Sequence, residues 1–155
     1  MKTLILYATK HGATAQIANI LADEIKDATV CGIKEATQLS NFDCVIIGSS
    51  VYAGSIRKEA KAFMAKSADE LSKKTLGLFL SCLDDKTDFF DKNFPVQILQ
   101  AAKAKAKLGG IFDPKKAGGF ERFVIKAVMK NADYVNKINE DKIKEFVKAI
   151  DLHEN

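Results

Sequence analysis

Six consecutive residues, Thr9-Lys10-His11-Gly12-Ala13-Thr14, carry the first chemical suggestion. They lie between a short apolar run, Thr3–Ala8, and a stretch from Ala13 to Lys26 in which Ile17, Ala18, Leu21, Ala22 and Ile25 recur at helical spacing. A turn that opens directly on a helix N-terminus offers backbone N–H groups without intrahelical partners, at the positive end of the helix dipole. Thr9 and Thr14 add hydroxyls, and Gly12 lets the backbone wrap closely about a ligand. The combination suits an anion, above all one terminal phosphate. It lacks both the G-x-x-x-x-G-K-[ST] of a nucleoside-triphosphate loop and the G-x-G-x-x-G of a dinucleotide turn. A capping turn with no ligand is the alternative.

The elements that must position this turn alternate between strand-like and helix-like patterns. Thr29–Ile33 is a weak second strand. Cys44–Gly48 is apolar on both faces, as central parallel strands are. Ser55–Leu71 reads as a helix with Ala60, Phe63, Met64 and Leu71 inward, and Thr75–Cys82 as a fourth strand. An acidic loop between Leu83 and Asn93 precedes a predicted helix over Phe94–Lys107 and a short fifth strand over Leu108–Phe112. Helices are expected at Phe120–Lys130 and Asn139–Leu152, the latter with Asn139 as N-cap. The expectation is one doubly wound α/β domain over residues 1–155, with a five-stranded parallel sheet covered by helices on both faces. Such sheets bind ligands beyond the carboxyl ends of their strands, where strand order reverses. Two further loops therefore join the first, Ser49-Ser50-Val51-Tyr52-Ala53-Gly54 and Ser81-Cys82-Leu83-Asp84.

Composition narrows the class. With 155 residues, 47% apolar and 28% charged, the chain is long enough for a hydrophobic core and is neither disordered, collagen-like nor a disulfide scaffold. Cys31, Cys44 and Cys82 form no C-x-x-C pair and no zinc-ligand spacing, so they read as small reduced hydrophobes and no metal is expected. The opening apolar run is too short for a signal peptide, and no stretch reaches the length of a spanning helix, which leads to the expectation of a cytoplasmic protein.

Charge is localised. Residues 1–100 balance to zero, residues 101–130 carry +6, and residues 131–155 carry −2. At 100° per residue, Arg122, Lys126 and Lys130 form one stripe, opposite Phe120, Phe123, Val124, Ala127 and Val128. A basic amphipathic helix of this kind suits an anionic membrane surface at the inner face of the cell membrane, or the carboxylates of a substrate. A lysine rim around a packed face is the plain alternative. No nucleic-acid motif surrounds the segment, so no nucleic-acid partner is expected. No side chain presents itself as a catalytic acid or base.

From Ile5 through Thr14, and on to Ala18 and Leu21, the chain resembles the FMN-binding signature of flavodoxins at every position, and the strand–helix layout is similar to theirs. The resemblance implies the strand order 2-1-3-4-5. It also implies FMN as cofactor, with its phosphate held by residues 9–14, its ring beside residues 49–54 and its pyrimidine edge at residues 81–84. Tyr52 is then the residue to stack on the ring, and Ala53-Gly54 the peptide to meet the flavin N5. Ordinary flavodoxins often enclose the ring with a Trp, and this chain has none. Glu121-Arg122-Phe123-Val124-Ile125-Lys126-Ala127-Val128-Met129-Lys130 is similar to the inserted segment of the menaquinone-dependent protoporphyrinogen oxidase branch of that family. That branch implies an enzyme of heme biosynthesis passing electrons from a reduced tetrapyrrole through FMN to a quinone. A flavodoxin-type carrier shuttling single electrons between protein partners is the alternative.

Overall fold

The strand residues alternate between two buried faces, and each face gathers its own helices. The computed structural model describes residues 1–36, 38–119, 121–123 and 133–151. Strand β1 (Thr3–Ala8) sends Leu4 and Leu6 to one side of the sheet and Ile5 to the other; β3 (Cys44–Tyr52) does the same with Val45 and Ile47 against Cys44 and Ile46. On the first side these side chains meet α2 (Lys58–Leu71), α3 (Phe90–Asn93) and α4 (Val96–Ala101) through Ala60, Met64, Phe90, Phe94 and Ile98. On the second they meet α1 (Ala13–Glu24) and α5 (Glu140–Asp151) through Ile17, Leu21, Ile143, Phe146 and Ile150. Fully burying one such side chain is worth about 1.5–3 kcal/mol. Asn139 caps α5 as expected, its Oδ1 accepting from the Lys142 N–H at 3.0 Å.

With β2 (Ala28–Gly32), β5 (Thr75–Ser81) and β6 (Ala102–Lys107), the five parallel strands run in the order β2-β1-β3-β5-β6. This is the expected 2-1-3-4-5 once the two-residue β4 (Ser55–Ile56) is set aside. β4 pairs antiparallel with the end of β3, which delays the start of α2 to Lys58 from the expected Ser55. Tyr52 faces Ser55 across a two-residue turn in which Ala53 (φ 50°) and Gly54 (φ 77°) are both left-handed, the geometry of a type I′ hairpin.

The region after residue 94 departs from the sequence reading. The helix predicted over Phe94–Lys107 ends at Ala101, and Ala102–Lys107 is the edge strand β6, parallel to β5. Ala and Lys are good helix formers, but their strict alternation is a period-two pattern, with Ala104 buried and Lys103 and Lys105 exposed. Lysines along an edge strand also block pairing with other chains. The fifth strand predicted over Leu108–Phe112 is instead a tight passage into β7 (Ile111–Phe112), which pairs antiparallel with β8 (Val135–Asn136) outside the main sheet. At Gly109 (φ 90°) a Cβ would fall 1.9 Å from the Lys137 carbonyl oxygen, so only glycine allows this crossing. Gly119 and Glu121–Phe123 are helical. The rest of the helix predicted over Phe120–Lys130, with Lys126 and Lys130, lies outside the described residues. No helix among the described residues is long and apolar enough to cross a membrane.

Candidate functional site

The parallel register brings the three expected loops to one end of the sheet. Ala8 pairs with Ser49, and Ser50 with Ser81, so β1, β3 and β5 end side by side. Beyond those ends lies a cavity of about 350 Å³, a size suited to a small ligand or to part of a larger one. It is lined by Thr9, Lys10, His11 and Ala13 from the first loop, by Ser50 through Gly54 from the second, and by Ser81, Cys82, Leu83 and Asp84 from the third.

Gly12, Thr14 and Ser49 do not line it. The Gly12 N–H donates to Thr9 Oγ1 at 2.9 Å, tightening the first turn. Ser49 Oγ donates to the Ser50 carbonyl and accepts from the Arg57 N–H, each at 3.0 Å, fixing the entry to α2. Thr14 is fully buried in the first turn of α1. Its Oγ1, like Ser50 Oγ, is buried without a hydrogen-bond partner. Each orphaned hydroxyl costs about 1–3 kcal/mol, so both fit a polar group arriving from outside the chain, such as a phosphate or flavin oxygen. With the N–H groups at the start of α1, the turn has the donor chemistry a phosphate requires.

Five lining residues were not singled out from sequence: Phe89, Gly110, Ile111, Phe112 and Glu121. Phe89 supplies an aromatic wall from the loop after β5, where residues 81–84 alone offered none. The signal available for it was Asp88, whose Oδ1 accepts from the Phe90 N–H at 2.8 Å and sets a turn. Asn93 was also missed. Only 7% exposed, it accepts from the Ile56 N–H at 3.1 Å and donates to the Gly54 and Phe89 carbonyls at 3.0 and 2.8 Å. One buried amide thus ties the hairpin turn to the Phe89 wall.

Glu121 is the one acid between Asp113 and Asp133 in a lysine-rich stretch. Its carboxylate lies 2.6 Å from Lys10 Nζ and 2.8 and 3.0 Å from His11 Nε2. Partial burial pushes the Glu121 carboxyl up, but the hydrogen bonds and charges of Lys10 and His11 outweigh it and hold it below the ordinary range. Lys10 Nζ also sits 3.2 Å from the centroid of the Tyr52 ring, a close cation–π contact. In the loop after β5, burial pushes the Cys82 thiol up to about 11, against the pull of Lys107, so it stays protonated at neutral pH. Hydrogen bonds from Thr87 and Lys86 lower Asp84 to about 2. Arg122 is exposed and donates to the Pro114 carbonyl, and Phe123 is 71% exposed rather than packed.

The comparisons bear on the fold and the family. A model of the flavodoxin domain matches residues 4–139. The chain is 28% identical to protoporphyrinogen IX dehydrogenase (quinone) of Escherichia coli K12, over 84% of this chain and 80% of that protein. The folds of an archaeal flavodoxin (TM-score 0.61, 14% identity, 99% and 97% of the two chains) and of a Lactobacillus acidophilus flavoprotein solved with FMN (0.58, 17%, 68% and 92%) are similar. A short-chain flavodoxin associated with a bacterial microcompartment matches over both whole chains at a TM-score of 0.62 and 17% identity. The chain belongs to the flavodoxin domain family, whose cofactor is FMN.

Proposed function

We propose that this chain is a single FMN-binding domain and an oxidoreductase that removes hydrogens from a reduced organic substrate, of the protoporphyrinogen IX kind, and delivers them to a quinone. The observation that carries the reading is the relatedness to a quinone-linked protoporphyrinogen IX dehydrogenase across four-fifths or more of both chains. Bound FMN would supply the redox chemistry, so that each turnover takes two hydrogens from the substrate and converts one quinone to its quinol.

The chain's own residues bind, orient and shield. Thr9, Lys10, His11, Gly12, Ala13 and Thr14 hold the phosphate through N–H groups and the orphaned Thr14 hydroxyl. Ser49, Ser50, Val51, Tyr52, Ala53 and Gly54 form one wall of the ring site, with Ser49 acting from behind through the Ser50 carbonyl. Ser81, Cys82, Leu83 and Asp84 form the opposite edge. Phe89, Ile111 and Phe112 add apolar lining that would exclude water from a bound flavin. The exposed Phe123 beside Arg122 supports a peripheral contact with anionic membrane through the segment that continues to Lys126 and Lys130. Such a contact would place the protein on the inner face of the cell membrane, within reach of a lipid-soluble quinone.

The similarity to flavodoxins over whole chains favours a second reading, an electron carrier between protein partners. One assay separates the two: oxidation of protoporphyrinogen IX, followed by porphyrin fluorescence, with FMN saturating, a menaquinone analogue present and anionic vesicles added. The enzyme reading expects a rate well above free FMN, raised by vesicles. A rate equal to free FMN leaves the carrier.

A further inference from the structure

The flavin phosphate and the Glu121 carboxylate are candidates for the same two side chains. Glu121 bridges Lys10 Nζ and His11 Nε2 with both of its oxygens, and its side chain is only 14% exposed. A carboxylate only accepts, so His11 Nε2 carries a hydrogen directed at it. Lys10 is further committed to the Tyr52 ring face. The segment that bears Glu121 makes a second contact with the same turn, Lys116 Nζ donating to the His11 carbonyl at 3.4 Å. A chain of contacts therefore runs from Tyr52 through Lys10 and Glu121 to His11 along the wall of the cavity. A doubly charged phosphate seated on the turn would stand beside this carboxylate, where like charges repel, and it would draw on the same donors.

We infer that Glu121 is an internal anion occupying the cations of the phosphate turn, so that a flavin phosphate and the segment docked through Lys116 and Glu121 compete for Lys10 and His11. This rests on the FMN reading above and adds a specificity to it. Glu121 sets the cost of admitting a phosphorylated flavin while leaving an unphosphorylated one unaffected. By linkage, the phosphate must in turn loosen the segment by the same factor.

The test is a fluorescence-quenching titration of the whole protein and of Glu121→Gln with FMN and with riboflavin, which lacks the phosphate. The amide keeps the size and removes the charge. The expected result is FMN binding about tenfold tighter in Glu121→Gln, with riboflavin binding unchanged. FMN binding that is equal or weaker in the variant, or a parallel change for both flavins, overturns the inference and leaves the FMN reading standing. Wild-type protein that binds neither flavin overturns both. A second measurement needs no variant: amide hydrogen exchange across residues 113–123 of wild type should quicken with FMN and stay unchanged with riboflavin. Slower exchange with FMN would overturn the competition.

Discussion

Two walls of one cavity are held by opposite kinds of interaction. The hairpin turn at residues 52–54 and the Phe89 wall are joined by Asn93, a buried neutral amide with three bonds to backbone groups. The adjoining part of the lining, where Glu121 meets the first loop, is held by Glu121, Lys10 and His11, side chains that reach solvent to 14%, 29% and 33%. The first kind is insensitive to salt and proton concentration and is costly to leave half-made. The second is screened, titratable and exchangeable for another anion. One wall is fixed, and the other is built to be displaced.

The largest effect is expected at the fixed side. Asn93→Ala strands the Ile56 N–H and frees the Gly54 and Phe89 carbonyls, and should lower stability by about 2–3 kcal/mol. A shift in the urea midpoint measures it, and flavin affinity should fall with it. A loss equal to that of an ordinary surface substitution would show that the two walls do not differ. Ala53→Gly sharpens the same side. Ala53 carries a left-handed φ of 50°, unfavourable for a side-chain-bearing residue, whereas glycine adopts it freely. After the entropy glycine adds to the unfolded chain, a gain of about 0.5 kcal/mol remains, readable as a raised thermal midpoint.

The exchangeable side gives a small effect with a distinct signature. The folded Glu121 carboxyl lies below its ordinary value of 4.5, so the unfolded chain takes up that proton first as pH falls. Its stabilisation is complete above about pH 4.5 and disappears as pH drops through the lower folded value. Wild type should exceed Glu121→Gln in stability by less than about 1 kcal/mol at neutral pH. That difference should shrink as pH falls below about 4.5 and should also shrink in 1 M salt, while the loss caused by Asn93→Ala changes with neither.

The legible parts of the molecule are those in which local pattern and tertiary environment agree. Ile5 through Leu21 combine a buried strand, a glycine turn with φ 99° at Gly12 and an amphipathic helix, and all three follow from spacing and residue type. The loops after β3 and β5 followed from sheet topology, whereas the lining by Phe89, residues 110–112 and Glu121 did not. Residues 102–107 misled because alanine and lysine favour a helix locally, whereas the free edge of β5 offered a ladder that only a strand can complete. Asn93 and Glu121 gave little local sign, because Asn93 holds Ile56 and Gly54 from 37 and 39 positions away and Glu121 holds His11 from 110 positions away. Long-range polar partners are set by the fold and carry no periodicity of their own.

The proposed function requires flavin mononucleotide to seat its phosphate at the turn after β1. The most direct measurement is a titration of the folded, flavin-free protein with FMN, read by flavin fluorescence, alongside Thr14→Val. Saturable quenching at one FMN per chain is expected, with binding at least tenfold weaker once the buried Thr14 hydroxyl is removed. Quenching that never saturates in a protein shown to be folded, or equal affinity in Thr14→Val, would contradict it.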